Sequence, residues 1–298
     1  MSDTHFSHTQ DQLKQLAQDV LAYAREQGGT DCAVEISEGS GLSVSVRKSK
    51  IETIEQNRDK GMGVTVFVGK RRGNASTSDF SAASLKATVE AAYNIARFTA
   101  DDDCAGLADA DQLEMAPRDL QLYYPWDIST ADAVALAQRA EAAAFAVDPR
   151  VTNSEGAGVH VQQSHFVAAN SRGFIGGYPY SRHTLSVAPI AGKGANMQRD
   201  DWYSSVRDAR LMSSPEAIGR YAAERALARL NARSIDTRTC PVLFEAPLAA
   251  GLLGAYVQAT SGGALYRKSS FLLDSLGKQV LPQHIQMCRP KNPIPYSN

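Results

Sequence analysis

The sequence carries no surplus of charge of either sign. Thirty-one lysines and arginines stand against 32 acidic residues, a formal net charge of −1. A nucleic-acid binder carries a basic patch or stripe, so no direct contact with DNA or RNA is expected. Long apolar runs are also missing. No stretch approaches the roughly 20 residues that a membrane helix requires, and the opening residues MSDTHFSHTQDQ lack the basic and apolar regions of a signal peptide. No membrane role is expected, and the expected compartment is the cytoplasm. Cysteine is scarce. Cys32, Cys104, Cys240 and Cys288 lie far apart and form no C-x-x-C. Two disulfides, or a zinc site drawn from scattered cysteines and histidines, remain open on paper. A large cytosolic chain favours reduced thiols, read here as buried and inert.

What is present is ordinary globular material: 298 residues, 43% hydrophobic and 21% charged, enough for more than one domain. Residues 11–26 place Leu13, Leu16, Ala17, Val20, Leu21 and Ala24 on one face, which predicts an amphipathic helix ended by Gly28-Gly29. Near-alternation follows in 32–37 and 42–47, with a turn predicted at Glu38-Gly39-Ser40-Gly41, and again in 51–54 and 64–68. This reads as an antiparallel meander with one packed face and one wetter face. Gly61-Met62-Gly63 precedes a strand instead of opening a helix, so it reads as a tight turn and not a phosphate loop. A second helix is predicted over 81–98, with Leu85, Val89, Ala92 and Ala96 in its stripe.

Residues 100–128 read as loop, in which Asp101-Asp102-Asp103 is a solvated acidic linker because no EF-hand glycine and glutamate follow it. A helix over 131–147 is capped by Ser129 or Thr130. Strands are then predicted at 159–162, 165–169, 184–190 and 202–206, with turns at 170–173 and 192–194. His160, His165 and His183 are candidate titrating or metal-binding groups, read first as structural histidines. Ser154-Glu155, Ser164-His165 and Asp200-Asp201 have the residue types of hydrolytic sites, but adjacency in sequence does not supply the geometry. Ser214 and Pro215 open a helix lined by Ile218, Ala222, Leu227 and Leu230. Its stripe of Arg220, Arg225, Arg229 and Arg233 reads as a solvated face, with an acidic partner as the alternative.

Residues 239–280 are the most distinctive. Val242, Leu243 and Phe244 read as a buried strand, Pro247 suits a first helical turn, and Leu248, Leu252, Leu253, Tyr256 and Val257 recur at helical spacing. A helix so poor in polar residues is expected to be buried on most sides, and Ser261-Gly262-Gly263 stops it. The wording VLFEAPLAAGLLGAYV…SGGALYRKSSFLLDSLGKQV, together with NSEGAGV, AANSRGFIGGY and MQRDDWYSSVR, resembles the PmbA (TldE) branch of the TldD/PmbA family, also described as modulators of DNA gyrase. The resemblance runs from the first helix to about His284. It implies a two-subunit cytoplasmic peptidase acting on unfolded peptides. A TldD-like metalloprotease subunit carries His-Glu-x-x-x-His and zinc, which would polarise the scissile carbonyl and activate water. In this chain Glu245-Ala246-Pro247-Leu248-Ala249-Ala250 falls at that place. Alanine offers zinc no N, S or O ligand. The degenerate motif at Glu245, Ala246 and Ala250 therefore implies a chain with no metal and no catalytic residue of its own, completing the substrate chamber beside its partner. Arg267, Lys268 and Ser269 follow the helix and would contact peptide or partner.

The resulting expectation is an α+β fold. Antiparallel sheets flanked by helices fill residues 1–235, and 236–285 hold the incomplete start of a β-rich C-terminal, metallopeptidase-like domain. Residues 286–298 diverge from the family: CRPKNPIPYSN has prolines that suit neither a central strand nor a helix interior, as in a truncated or frameshifted end. Exposed apolar surface around the helix of 248–262 should follow. The rival readings are a non-enzymatic adaptor or inhibitor in a toxin–antitoxin or gyrase-related pathway, and an inactive fragment.

Overall fold

Thr9 starts the first helix through a reciprocal bond pair. Its hydroxyl accepts from the Gln12 N–H, and the Gln12 side chain accepts from the Thr9 N–H at 2.7 Å, which satisfies two donors that a helix start leaves free. In this computed structural model, which describes residues 5–285, helix α1 (Gln10–Glu26) buries the foreseen stripe of Leu13, Ala17, Val20 and Ala24. Strand β1 (Asp31–Arg47) and strand β2 (Lys50–Val68) come next, then β3 (Arg71–Thr77) and helix α2 (Ala82–Phe98). Helix α3 (Thr130–Phe145) leads into β4 (Val151–Asn170), β5 (Ile175–Gly176), β6 (Pro179–Ala191), β7 (Gln198–Arg199) and β8 (Trp202–Val206), closed by α4 (Pro215–Ala228). Ser214, and Ser129 of the two candidates offered, cap their helices as the sequence predicts, and Ser81 caps α2 instead of beginning it.

Two predicted turns are absent. Glu38 to Gly41 lie inside β1, and Gly61 to Gly63 lie inside β2 with Met62 buried. In β1 glycine lets neighbours in: a Cβ on Gly41 would sit 2.5 Å from Asn57 Oδ1 and 3.1 Å from the Val161 carbonyl. Four of the short strands read from the sequence thus merge into two long ones, and 159–162 and 165–169 merge into β4. The foreseen sheets are also a single antiparallel sheet, in the order β3-β2-β1-β4-β6-β7, because β1 pairs with β4 from Ala33↔Asn170 to Val46↔Ala157 without a register shift.

That pairing fixes the layers. Cys32, Val34, Ile36, Leu42, Val44 and Val46 share one parity and so one face of β1. The first three join α1 and α2 in one core, and the last three join α3 and α4 in another. Small residues let α3 and α4 approach closely. A Cβ on Gly219 would fall 2.1 Å from the Ala140 carbonyl.

The hairpin joining β1 to β2 turns at Lys48 and Ser49, both with positive φ, a conformation that favours Asn-Gly. Neither residue is suited to it. Glu141 of α3, fully buried, accepts their N–H groups at 2.9 and 2.8 Å, so a helix carboxylate holds the strained turn.

The chain divides into two compact units, Met1–Ala232 and Arg233–Asn298. In the second, α5 (Ala246–Ala259) and α6 (Gly262–Tyr266) are the helices among the described residues. Two expectations fail here. Residues 242–244 form no strand and are exposed, Leu243 by 97%, since among the described residues no other strand in the unit offers its backbone a ladder. Helix α5 is not buried: Leu248, Leu252, Leu253 and Val257 are each about half exposed or more. The apolar surface expected around it is present. The divergent tail lies outside the described residues.

Two outcomes are expected. Limited proteolysis should cut first within 232–240, an exposed segment without regular structure; equal protection of 240–280 and the first unit, read by mass spectrometry, would contradict this. Glu141→Ala should cost about 3 kcal/mol in denaturant unfolding, partly recovered by placing Asn-Gly at Lys48-Ser49. An unchanged midpoint would show that the turn does not depend on α3.

Candidate functional site

The residues at the degenerate motif lie at the start of α5. Glu245 stands at its N-cap position without a side-chain capping bond, Pro247 occupies the first turn, and Ala246 and Ala250 present only methyl groups. The donor set does not fit zinc. Among the described residues no group of three or more His, Cys, Asp and Glu side chains is placed to hold a metal ion. Arg267 caps the end of α6, Lys268 follows with φ of 55°, and the Ser269 hydroxyl donates to the Ala264 carbonyl at 3.3 Å. Arg267 and Lys268 are exposed. Ser270, by contrast, is buried and donates to the Ala259 carbonyl at 2.7 Å, fastening the turn to the end of α5.

In the first unit, the polar centre of the sheet lies between the two cores. Glu38, at the middle of β1, is only 5% exposed. Its Oε1 lies 2.6 Å from His8 Nδ1, and its Oε2 accepts the N–H groups of Ser7 and His8 at 3.1 and 3.0 Å and lies 3.3 Å from His165 Nε2. Phe6 stacks on the His165 ring with centroids 4.0 Å apart. Burial alone would raise the Glu38 carboxyl, but hydrogen bonds from the His8 side chain and backbone and from His165 outweigh it and hold the group below its ordinary value. So many donors leave no lone pair poised for proton transfer. The cluster fastens the N-terminal segment onto the sheet.

The other candidates separate. His160 and His165 belong to one strand, five residues apart and therefore on opposite faces, with His160 exposed and bonded to the Ser43 hydroxyl at 3.0 Å. Ser164 and His165 likewise point to opposite faces. His183 is buried; burial lowers its pKa, opposed by the Tyr124 carbonyl, 2.9 Å from Nε2, and by Asp208. Ser154 accepts the Gly156 N–H at 2.7 Å, and Glu155 pairs with Arg199. Asp200 and Asp201 are not a carboxylate pair: Arg225 and Arg229 reach Asp200 at 3.3 and 3.6 Å, while Arg199 reaches Asp201 at 3.4 Å. The arginine stripe is therefore only partly solvated, and Arg225 also lies over the Trp202 ring. Asp101 pairs with Arg71, and Asp102 accepts the Cys104 N–H. Of the thiols, Cys32 is buried and pushed up to about 12 by burial and then by the Asp31 charge, whereas Cys104 and Cys240 are exposed, against expectation. Cys288 lies outside the described residues. No local pattern marks Glu38 or Glu141, because both act through contacts distant in the chain.

Comparison with known proteins gives a consistent result. Residues 32–96 match the PmbA/TldA metallopeptidase domain 1, residues 123–230 its central domain, and residues 237–292 its C-terminal domain. Metalloprotease PmbA of Escherichia coli O157:H7 is 43% identical over 249 residues, 84% of this chain and 55% of that protein. The Haemophilus influenzae homolog is 42% identical over 254 residues, 85% and 56%. The chain thus spans about half the length of the curated relatives it matches. Among solved structures, a proposed modulator of DNA gyrase from Bacteroides thetaiotaomicron shares the fold with a TM-score of 0.81 at 24% identity, covering 89% of this chain and 61% of the other. TldE from Thermococcus kodakarensis gives 0.68 at 15%, covering 87% and 58%.

The Glu38 cluster predicts a pH-dependent stability. A carboxyl lowered on folding stabilises fully above its unfolded value of about 4.3, and that contribution is lost as pH falls through the lower folded value. Glu38→Gln should therefore destabilise by about 1–3 kcal/mol at pH 7, and the gap to the parent should narrow on acidification. Thermal unfolding at several pH values tests this; a gap constant with pH would reduce the role of Glu38 to packing.

Proposed function

The chain belongs to the PmbA/TldD metallopeptidase family, and from that premise we propose that it is the PmbA/TldE-type, non-catalytic part of a heteromeric peptidase. Its partner is a TldD-like subunit that brings the zinc, and its substrate class is unfolded or flexible peptide. The observation that carries this reading is the start of α5, where family membership calls for metal ligands and residues 245–250 hold one carboxylate, a proline and aliphatic side chains. A hydrolase without ligands at that helix has no means of holding the metal there. The solved TldE fold relative supports the assignment to this branch. The name of the other fold relative, a modulator of DNA gyrase, describes that protein; the composition here carries no surplus of basic residues of the kind a DNA binder uses. The proposed compartment is the cytoplasm, and among the described residues no helix is long and apolar enough to cross a membrane.

Co-expression with a TldD-type subunit should give a complex by size-exclusion chromatography that hydrolyses an unfolded peptide. The chain by itself should contain no stoichiometric zinc and cleave nothing. Chelator-sensitive hydrolysis by the purified chain, with contaminating protease excluded, would overturn the assignment.

A further inference from the structure

Beside the N-terminal segment the sheet carries a cleft of roughly 460 Å3, with Arg58, Ser40 and Gln163 on its floor and Trp126 and Asp127 on one wall. That volume falls within the range of small-molecule sites, about 300–1,000 Å3. The floor is one cross-strand row: Arg58 faces Ser40 across β2 and β1, and Ser40 faces Gln163 across β1 and β4. Directly paired residues point their side chains to the same face.

Gln163 is the informative member. It is 4% exposed, and its Oε1 is a buried oxygen without a hydrogen-bond partner. The other end of the amide is occupied, with Nε2 lying 3.2 Å from His5 Nδ1. His5 Nε2 lies 3.1 Å from Asp127 Oδ1. A proton on Nε2 for that carboxylate leaves Nδ1 as the acceptor, and Nδ1 then takes the Gln163 N–H. An acceptor buried without a partner is destabilising, since it has given up water and gained nothing in return. Gln163 lines the cleft, and a turn of its side chain toward the opening would bring this covered oxygen to a ligand N–H and satisfy it. Arg58, at the other end of the row, is an exposed cation with no salt bridge among the described residues. Two strand spacings separate the two positions, roughly 10 Å, which is the reach of about three residues of extended chain. Leu42 and the Trp126 ring supply the apolar surface between them.

We propose that this cleft binds the C-terminal end of a short peptide, with a peptide N–H donated to Gln163 Oε1 and the terminal carboxylate held by Arg58. A peptide group suits Gln163 in either orientation of its amide, since it offers both a donor and an acceptor. The site lies wholly in the first unit, and it does not rest on the peptidase assignment.

Isothermal titration of the full chain with N-acetyl-Ala-Leu and with its C-terminal amide tests the proposal. The free acid should bind with Kd of about 0.1–1 mM, and the amide at least about fivefold more weakly, the loss expected from one charge-assisted bond. Arg58→Gln, a surface change, should bind both ligands equally at the weaker level. Gln163→Met, which keeps the length without the acceptor, should weaken both while circular dichroism shows the fold retained. Absence of binding by the parent, equal binding of acid and amide by the parent, or a preference for the acid that survives Arg58→Gln would each overturn the proposal. Because the partner subunit is not needed, failure here leaves the heteromeric reading untouched, and failure of that reading leaves this result intact.

Discussion

The structure depends on one constraint: β1 and β4 keep their alternation in register over nearly their whole lengths. Their shared face carries apolar residues at both ends and polar ones in the middle. A slip of one residue would turn every one of these side chains to the opposite face. Both helical cores would then lose their sheet layer together. Each core draws on both strands, with Val34, Ile36 and Val167 under α1 and α2 and Val44, Val159 and Val161 under α3 and α4. One strand pair therefore joins what family comparison divides into a first and a central domain.

The polar middle of that face follows from the same geometry. Two pairs of helices on one long sheet leave a gap where neither reaches, and the strand continues across it. Glu38, Gln163 and His165 lie there, and the segment from His5 to His8 covers part of the gap. A buried carboxylate is tolerated because it gathers donors from both backbone and side chains. The remaining space is the cleft beside Trp126. Anchor and cleft thus have one origin, the spacing of the helices along the strands.

Much of this was legible from the residues alone. The stripes of α1, α2 and α4 and the caps at Ser129 and Ser214 could be read, and the alternation of 32–37 and 42–47 matches the buried parity. The glycines misled. In a short segment Gly39, Gly41, Gly61 and Gly63 read as punctuation, but all four lie inside long strands, where Gly39 and Gly41 make room for Ser164 and Asn57 while nothing would crowd a Cβ on Gly61 or Gly63. The Glu38 cluster could not be seen, because it requires the β1–β4 register and a segment some 30 residues earlier in the chain. The same holds for Glu141 and Arg225, whose partners are brought near only by the packing of α3 and α4. The resemblance in 239–280 identified the family, yet reading 242–257 as a buried strand and helix assumed partners that the described residues of the second unit do not contain.

That difference separates the two units energetically. In the first, large side chains such as Leu13, Ile36, Met62, Leu185 and Ile218 are already buried, and each contributes about 1.5–3 kcal/mol. In the second, Leu248, Leu252, Leu253 and Val257 of α5 remain about half exposed or more. Their full burial is a gain of several kcal/mol not yet realised, comparable to the whole net stability of a small domain, about 5–15 kcal/mol. The start of the helix cannot compensate, since residues 245–250 offer neither a metal site nor a capping side chain. The stability of the first unit is therefore intrinsic. In the second, the described residues leave the corresponding contribution of α5 unmade.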